Sequence, residues 1–236
     1  MAPTATSPQA GRMNGRPLVL HIVPALFQDD GAGDGATGGA ERYVLELARH
    51  MALQVPTRLV TFGARDRTER LGALDIRVIG NAYHVRGQRF NPFAPALLGE
   101  VLRASIVHCH QNHTVAATAS ALLSRVSGRR VFATDLGGGG WDLSSYVSTD
   151  RLYHGHLHIS RYSRHVSGHD GNPSAHIVWG GVDHDRFSPG TAERRHVLFV
   201  GRLMPHKGTD LLVRALPPSM AAVIFSPGFR KRSAPR

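Results

Sequence analysis

Cysteine is almost missing from this chain: Cys109 is the single one in 236 residues. One thiol excludes an internal disulfide framework and fits a reducing cytoplasm. Lysine is nearly as scarce, occurring only at positions 207 and 231, so arginine carries the formal net charge of +11. The arginines are scattered, as codon usage in a GC-rich genome would leave them. No basic stripe interleaved with aromatics forms, which argues against a nucleic-acid groove. No apolar run approaches the ~18 residues that would span a bilayer. The first fifteen residues, MAPTATSPQAGRMNG, lack the apolar core of a secretory signal and read as a disordered lead-in.

What is present is ordinary for a folded α/β protein, with 42% hydrophobic and 19% charged residues. Short apolar runs at 17–23, 57–62, 76–79, 105–110, 130–134, 153–159 and 175–178 predict strands. Segments 40–53, 91–103 and 114–126 have the apolar spacing of amphipathic helices. Strands alternating with helices imply parallel pairing and right-handed crossovers. The expected fold is a Rossmann-like, doubly wound parallel sheet over 16–190, followed by a second, incomplete α/β domain over 191–236. The polar segment 183–191, DHDRFSPGT, marks the linker. Ligands of such sheets sit at the carboxyl ends of the strands, here the loops after Val23, His110 and Thr134.

Four stretches carry candidate chemistry. Gly38 and Gly39 open the first helix, where free backbone N–H groups and the helix dipole favour an anion. The run 33–38 also matches G-x-G-x-x-G, but it starts ten residues after its strand, too far for a dinucleotide turn. His108, Cys109, His110 and His113 suggest a metal at first sight. No carboxylate completes a ligand shell in that stretch, so no metal is expected, and His110 is the better candidate for hydrogen bonding a sugar or for acid/base work. In 135–142, DLGGGGWD, glycines 137 and 138 let the backbone turn at a ligand. Trp141 could wall a sugar ring, and Asp135 and Asp142 suit sugar hydroxyls. The sharpest motif is 201–208, GRLMPHKG, where Arg202 offers a bidentate fork and Lys207 a point charge before a helix. A diphosphate fits that pair, and the Walker pattern is absent.

The segments GGAERYVLELARHMA, IVHCHQNHT, HLHISRYSR, WGGVDHDRFSP and HVLFVGRLMPHKGTDLLVRAL, in that order, resemble family 4 glycosyltransferases of the GT-B fold. The resemblance implies two facing Rossmann-like domains, the second binding a nucleotide-sugar donor and the first an acceptor. It implies sugar transfer with retention, no cofactor and no required metal. The acceptor would be a saccharide or lipid-linked molecule, met in the cytoplasm or at a membrane surface. By the same resemblance Arg202 and Lys207 would hold the donor diphosphate, Gly38 and Gly39 would approach it, and His110 would lie near the transferred sugar. The loop with Asp135, Gly137, Gly138, Trp141 and Asp142 would face the acceptor. Two departures stand out. Gly180 occupies a place where the family often has Asn. The family's paired glutamates, E-x₇-E, are missing: Glu193, before the phosphate motif, is the last glutamate. Residues 227–236 match nothing in the family, so a truncated donor domain with weak or no activity alone is expected, its apolar surface under-covered. A non-catalytic acceptor- or partner-binding module is the alternative; a Rossmann oxidoreductase is a more distant one.

Overall fold

The structure is a computed structural model that describes residues 12–13, 16–27, 38–136, 141–191, 197–201, 203, 205–217 and 222–225. The chain divides into two units, Met1–Gly181 and Val182–Arg236. In the first unit a short antiparallel pair, β1 (Arg12–Met13) and β2 (Arg16–Pro17), precedes β3 (Val19–Ile22), α1 (Gly39–Ala52), β4 (Thr57–Phe62), β5 (Arg67–Leu71) and β6 (Leu74–Ile79). Next come β7 (Tyr83–His84), β8 (Pro92–Phe93), α2 (Ala96–Arg103), β9 (Ile106–Cys109), α3 (Val115–Val126) and β10 (Arg130–Asp135). The unit ends with β11 (Gly155–His158), α4 (Arg161–Val166) and β12 (Ala175–Ile177).

Eight strands form one sheet in the order β12-β11-β10-β9-β3-β4-β6-β5, parallel throughout except for β5 against β6. This is the doubly wound α/β sheet expected from the sequence. Period-two alternation divides the side chains between its faces. Leu20, Ile22, Val107, Cys109, Val131 and Ala133 enter the larger core, where α2 and α3 contribute Leu97, Val101, Ala117 and Ala121. Val44, Leu45 and Ala48 of α1 meet Leu59, Ile76 and Val78 in the smaller core. Cys109 is buried in the larger core, and burial pushes its thiol up to about 12, so it stays protonated and inert.

Several short elements, among them β1, β7, β8 and α4, were not expected, and two departures have a clear physical reason. The helix predicted over 91–103 starts at Ala96, because Pro92 and Phe93 pair instead with Tyr83 and His84. Strand β5, RTERL, was not foreseen; its charged residues give no apolar alternation, and it is an antiparallel edge strand whose charges blunt edge pairing. Gly72, at φ 61°, makes the tight turn into β6.

The second unit, taken by itself, is a βαβ arrangement: β13 (Val197–Val200), α5 (Thr209–Ala215) and β14 (Ala222–Phe225), the strands parallel. None of its described residues is buried, and Leu198, Val200, Leu211 and Val213 are all exposed. Among the described residues, a two-stranded sheet with one helix leaves this apolar surface uncovered.

Strand alternation also buries histidines. His21 and His108 sit side by side in register on the face opposite Cys109, and His110 continues that row. His21 Nδ1 lies 2.7 Å from His110 Nε2, and His108 Nε2 lies 2.7 Å from Thr134 Oγ1. Burial lowers the pKa of all three: His21 to about 4, His108 and His110 well below the usual imidazole value, with further lowering from the neighbouring rings. The folded protein therefore holds them neutral, whereas the unfolded chain protonates them near pH 6.5. Their contribution is fully present above that value and is lost as pH falls toward the folded pKa. For His21 alone the loss between pH 7 and pH 4 is about 3 kcal/mol. Thermal unfolding followed by circular dichroism is expected to show Tm falling as pH drops from 7 to 4. His21→Asn should flatten that slope; an unchanged slope would refute the assignment.

Candidate functional site

The chain enters the sheet at its centre. From β3 it winds one way through β4 and β6, then returns beside β3 as β9 and winds the other way through β10, β11 and β12. The β3/β9 boundary is the topological switch point, where the loops leaving adjacent strands separate and open a crevice. Gly38 is the extended N-cap of α1, the helix that follows β3, and offers no side-chain cap. Gly39 is the first residue of α1, and a Cβ there would meet nothing within 4 Å. The N-cap thus supplies no side-chain partner of the kind a Ser or Asp would give; the Glu41 carboxylate of the first turn stands beside it, its Oε2 2.7 Å from where a Gly38 Cβ would be.

At the same boundary, His110 follows β9 and its backbone N–H donates to the Ile22 carbonyl of β3 at 2.9 Å. It is only 1% exposed. The side chain is a neutral imidazole paired with His21, and its Nδ1 has no hydrogen-bond partner among the described residues. The metal set suggested by 108–113 is separated by the strand itself: Cys109 faces the larger core, His108 and His110 face the other way, and His113 Nδ1 pairs with Ser144 Oγ at 2.7 Å. His21, 87 positions from His108, is the neighbour that no local spacing could reveal.

The loop after β10 divides by role. Asp135 is half-buried at the strand end. Gly137 and Gly138 lie outside the described residues. Trp141 is held by its backbone, which donates to Gln88 Oε1 at 2.8 Å and accepts from Asn91 Nδ2 at 2.7 Å. The Arg86 guanidinium lies 4.3 Å over its ring and Tyr146 meets it edge-on at 5.9 Å, so one indole face is already covered. Asp142 departs from the expected sugar contact. It is 1% exposed, and its carboxylate accepts from Thr118 Oγ1 and from the Ser144 N–H at 2.9 Å. It caps the 3₁₀ turn Leu143–Ser145 and pins the loop to α3 rather than facing solvent.

Asn91, missed in the sequence, organises this region. Fully buried, it donates to the Trp141 carbonyl and accepts from the Val115 N–H at 2.9 Å. It thereby joins the β7–β8 turn, the start of α3 and the 141–146 loop. A lone Asn beside Pro92 gives no local signal of such a role. The sequence also hid a cleft of 530 Å³ at the carboxyl ends of β3, β4 and β6, lined by Pro24, Phe27, Phe62, Asn81, His84 and Arg89 among others. Its walls come from loops far apart in the chain.

In the second unit, Lys207 is exposed at the end of the 3₁₀ turn Pro205–Lys207. Gly208 follows at φ 69° and starts α5, a left-handed step that glycine takes without strain. Arg202 lies outside the described residues. At Gly180, in the first unit, a Cβ would stand 3.4 Å from the Tyr43 ring, an ordinary contact, so the space there does not demand glycine.

No family model matches the sequence, and no curated protein matches it. Solved structures do share its fold. HepE of Anabaena, in complex with UDP and glucose, aligns over 88% of this chain and 60% of its own, with a TM-score of 0.56 and 15% identity. The lipopolysaccharide outer core galactosyltransferase WaaB aligns over 89% of this chain and 61% of its own, with a TM-score of 0.52 and 15% identity. A glycosyltransferase of Rickettsia africae aligns over 84% and 56%, with a TM-score of 0.51 and 16% identity. The chain thus spans about 60% of the length of HepE and WaaB, and it has the fold that these glycosyltransferase structures share over that part.

Proposed function

We propose that this chain is a nucleotide-sugar-dependent glycosyltransferase of the family 4 type. The observation that carries the reading is the switch point at β3/β9, from which the chain leaves β3 toward α1 and leaves β9 at His110, on a fold shared with UDP-bound HepE. In this reading Arg202 and Lys207 grip the donor diphosphate, and Gly38 and Gly39 offer backbone N–H groups to an anion at the start of α1. Cations and N–H donors there stabilise the charge that builds on the leaving nucleoside diphosphate. His110 lies near the transferred sugar as a neutral hydrogen-bonding group. Asp135, Gly137, Gly138 and Trp141 form the acceptor side, and the 530 Å³ cleft offers it a partly aromatic wall. Transfer proceeds with retention and without a metal or cofactor. The acceptor is a saccharide or a lipid-linked molecule met in the cytoplasm, where the enzyme can lie against a membrane surface; no helix among the described residues is long and apolar enough to cross one.

Calorimetric titration with UDP tests the donor assignment, UDP being the nucleotide bound in HepE. The 236-residue chain should bind UDP, and Lys207→Ala should weaken binding by roughly tenfold or more, the value of a charged hydrogen bond. No detectable UDP binding, or equal binding by the variant, would overturn the donor site.

Turnover is the second measurement. With no glutamate after position 193 to contact sugar and ribose, release of glucose from UDP-glucose by this chain should be weak or absent even where UDP binds. Robust turnover would remove the need for the glutamate pair. UDP binding without turnover, together with capture of a defined saccharide, would favour the acceptor-binding module instead.

Asp142→Asn separates support from contact. Because its carboxylate caps a turn and receives Thr118, the variant should lower stability by about 1–3 kcal/mol and leave UDP affinity within twofold. Denaturant melts beside the same titration distinguish the two roles; lost affinity at unchanged stability would return Asp142 to the ligand surface.

A further inference from the structure

A second group of buried histidines has no part in the proposed transfer. The aligned pairs Ala133–His156 and Asp135–His158 put His156 and His158 on the α2/α3 face of the sheet, opposite His21, His108 and His110. Asp150 comes from the turn before β11, and His169 from the turn after α4, where Gly168 at φ 70° redirects the chain. His169 Nε2 lies 3.5 Å from Asp150 Oδ2, and His156 Nε2 lies 4.0 Å from Asp150 Oδ1. One donor atom from each of Asp150, His156 and His169 lies within 4.8 Å of the other two.

The geometry points to a divalent transition-metal site formed by Asp150, His156 and His169. Two imidazoles and one carboxylate are the donor set of Zn²⁺ and its neighbours Co²⁺ and Ni²⁺, whereas Mg²⁺ and Ca²⁺ want oxygen throughout. Ligands ~2.0–2.1 Å from a tetrahedral ion stand roughly 3.3–3.5 Å apart, so His169 and Asp150 already have the right separation. Asp150, half-exposed, has the freedom to close the remaining gap to His156.

Two further observations support an ion. His169 Nε2, the atom that faces Asp150, is buried without a hydrogen-bond partner among the described residues, a state that costs stability unless something fills it; His156 faces Asp150 through Nε2, which also lies 3.4 Å from the Asp150 backbone carbonyl. His169 Nδ1 lies 3.0 Å from His158 Nε2, and His158 Nδ1 lies 3.4 Å from Ser163 Oγ. When His169 donates from Nδ1 to His158, its Nε2 lone pair is aimed at the Asp150 carboxylate. Two electron-rich atoms then face each other, and a cation between them is what that contact lacks. In that tautomer the outer hydrogen bond orients the His169 ring as such bonds do for metal-bound histidines generally. Three protein ligands and an exposed Asp150 leave the fourth position to water. The His21–His108–His110 group differs: it has no carboxylate, no exposed ligand to admit an ion, and two of its rings already bond to each other.

Such an ion would tie the turn before β11, β11 itself and the turn after α4 into one edge of the sheet. It would act as a staple and stabilise the folded chain by mass action; the inference does not rest on the transferase reading. The test uses the full chain, stripped with a chelator and titrated with ZnCl₂ by calorimetry, with thermal melts alongside. One equivalent of Zn²⁺ is expected to bind and raise Tm by several degrees, Co²⁺ to give tetrahedral visible absorption, and Mg²⁺ to do neither. Asp150→Asn and His169→Gln should each weaken Zn²⁺ at least tenfold, while His165→Gln, in the adjacent surface pair with Asp170, should not. No stoichiometric Zn²⁺ binding, or binding that survives Asp150→Asn, would overturn the site. Asp150→Asn, isosteric and half-exposed, decides the question if His169→Gln does not fold.

Discussion

Strand β3 at the centre of the parallel sheet is the constraint on which the rest of the molecule depends. Its pairing with β4 on one side and β9 on the other divides the chain into two windings of opposite direction. That division opens the crevice at the carboxyl ends and puts the walls of the cleft on the loops that leave β3, β4 and β6. The same pairing aligns His21 with His108. Polar rings are thereby forced into the dry interior, where they persist only as neutral, mutually bonded groups.

The loops of this rim depend on a few buried polar side chains more than on apolar packing. Asn91 and Asp142 hold the 141–146 loop to α3, Asn91 through backbone partners and the Gln88 amide and Asp142 through a backbone N–H and hydroxyls. Buried and hydrogen-bonded in this way, they act as scaffold for the loop. The two histidine groups lie on opposite faces of the sheet for one reason: β9 and β11 present their alternating histidines to opposite sides. One group is closed around its own hydrogen bonds, while the other ends on an exposed carboxylate.

Much of the architecture was legible in the sequence, because apolar runs of strand length and helical spacing reflect local rules. Strands β4, β9 and β10 and helices α1 and α3 lie where those patterns put them. The pattern failed where local preference met a non-local partner. Residues 91–95 have helical spacing, yet Pro92 and Phe93 pair with Tyr83 and His84, so α2 starts late. Strand β5 was invisible because an exposed edge needs no apolar side chains.

For the candidate site the division is sharper. The sequence by itself determined the chemistry available: glycines at a helix start, a cationic motif at 201–208, and histidines repeated at period two. Those are properties of residue type and short spacing, which the backbone's own geometry converts into faces and turns. Only the tertiary structure decided which of these groups meet and which are used up. Asp142 became a cap, Trp141 acquired an arginine over its ring, His110 was buried against a histidine 89 positions away, and Asp150 was brought to His169. Burial and partnership are set by segments distant in the chain, and no local pattern of residues contains them.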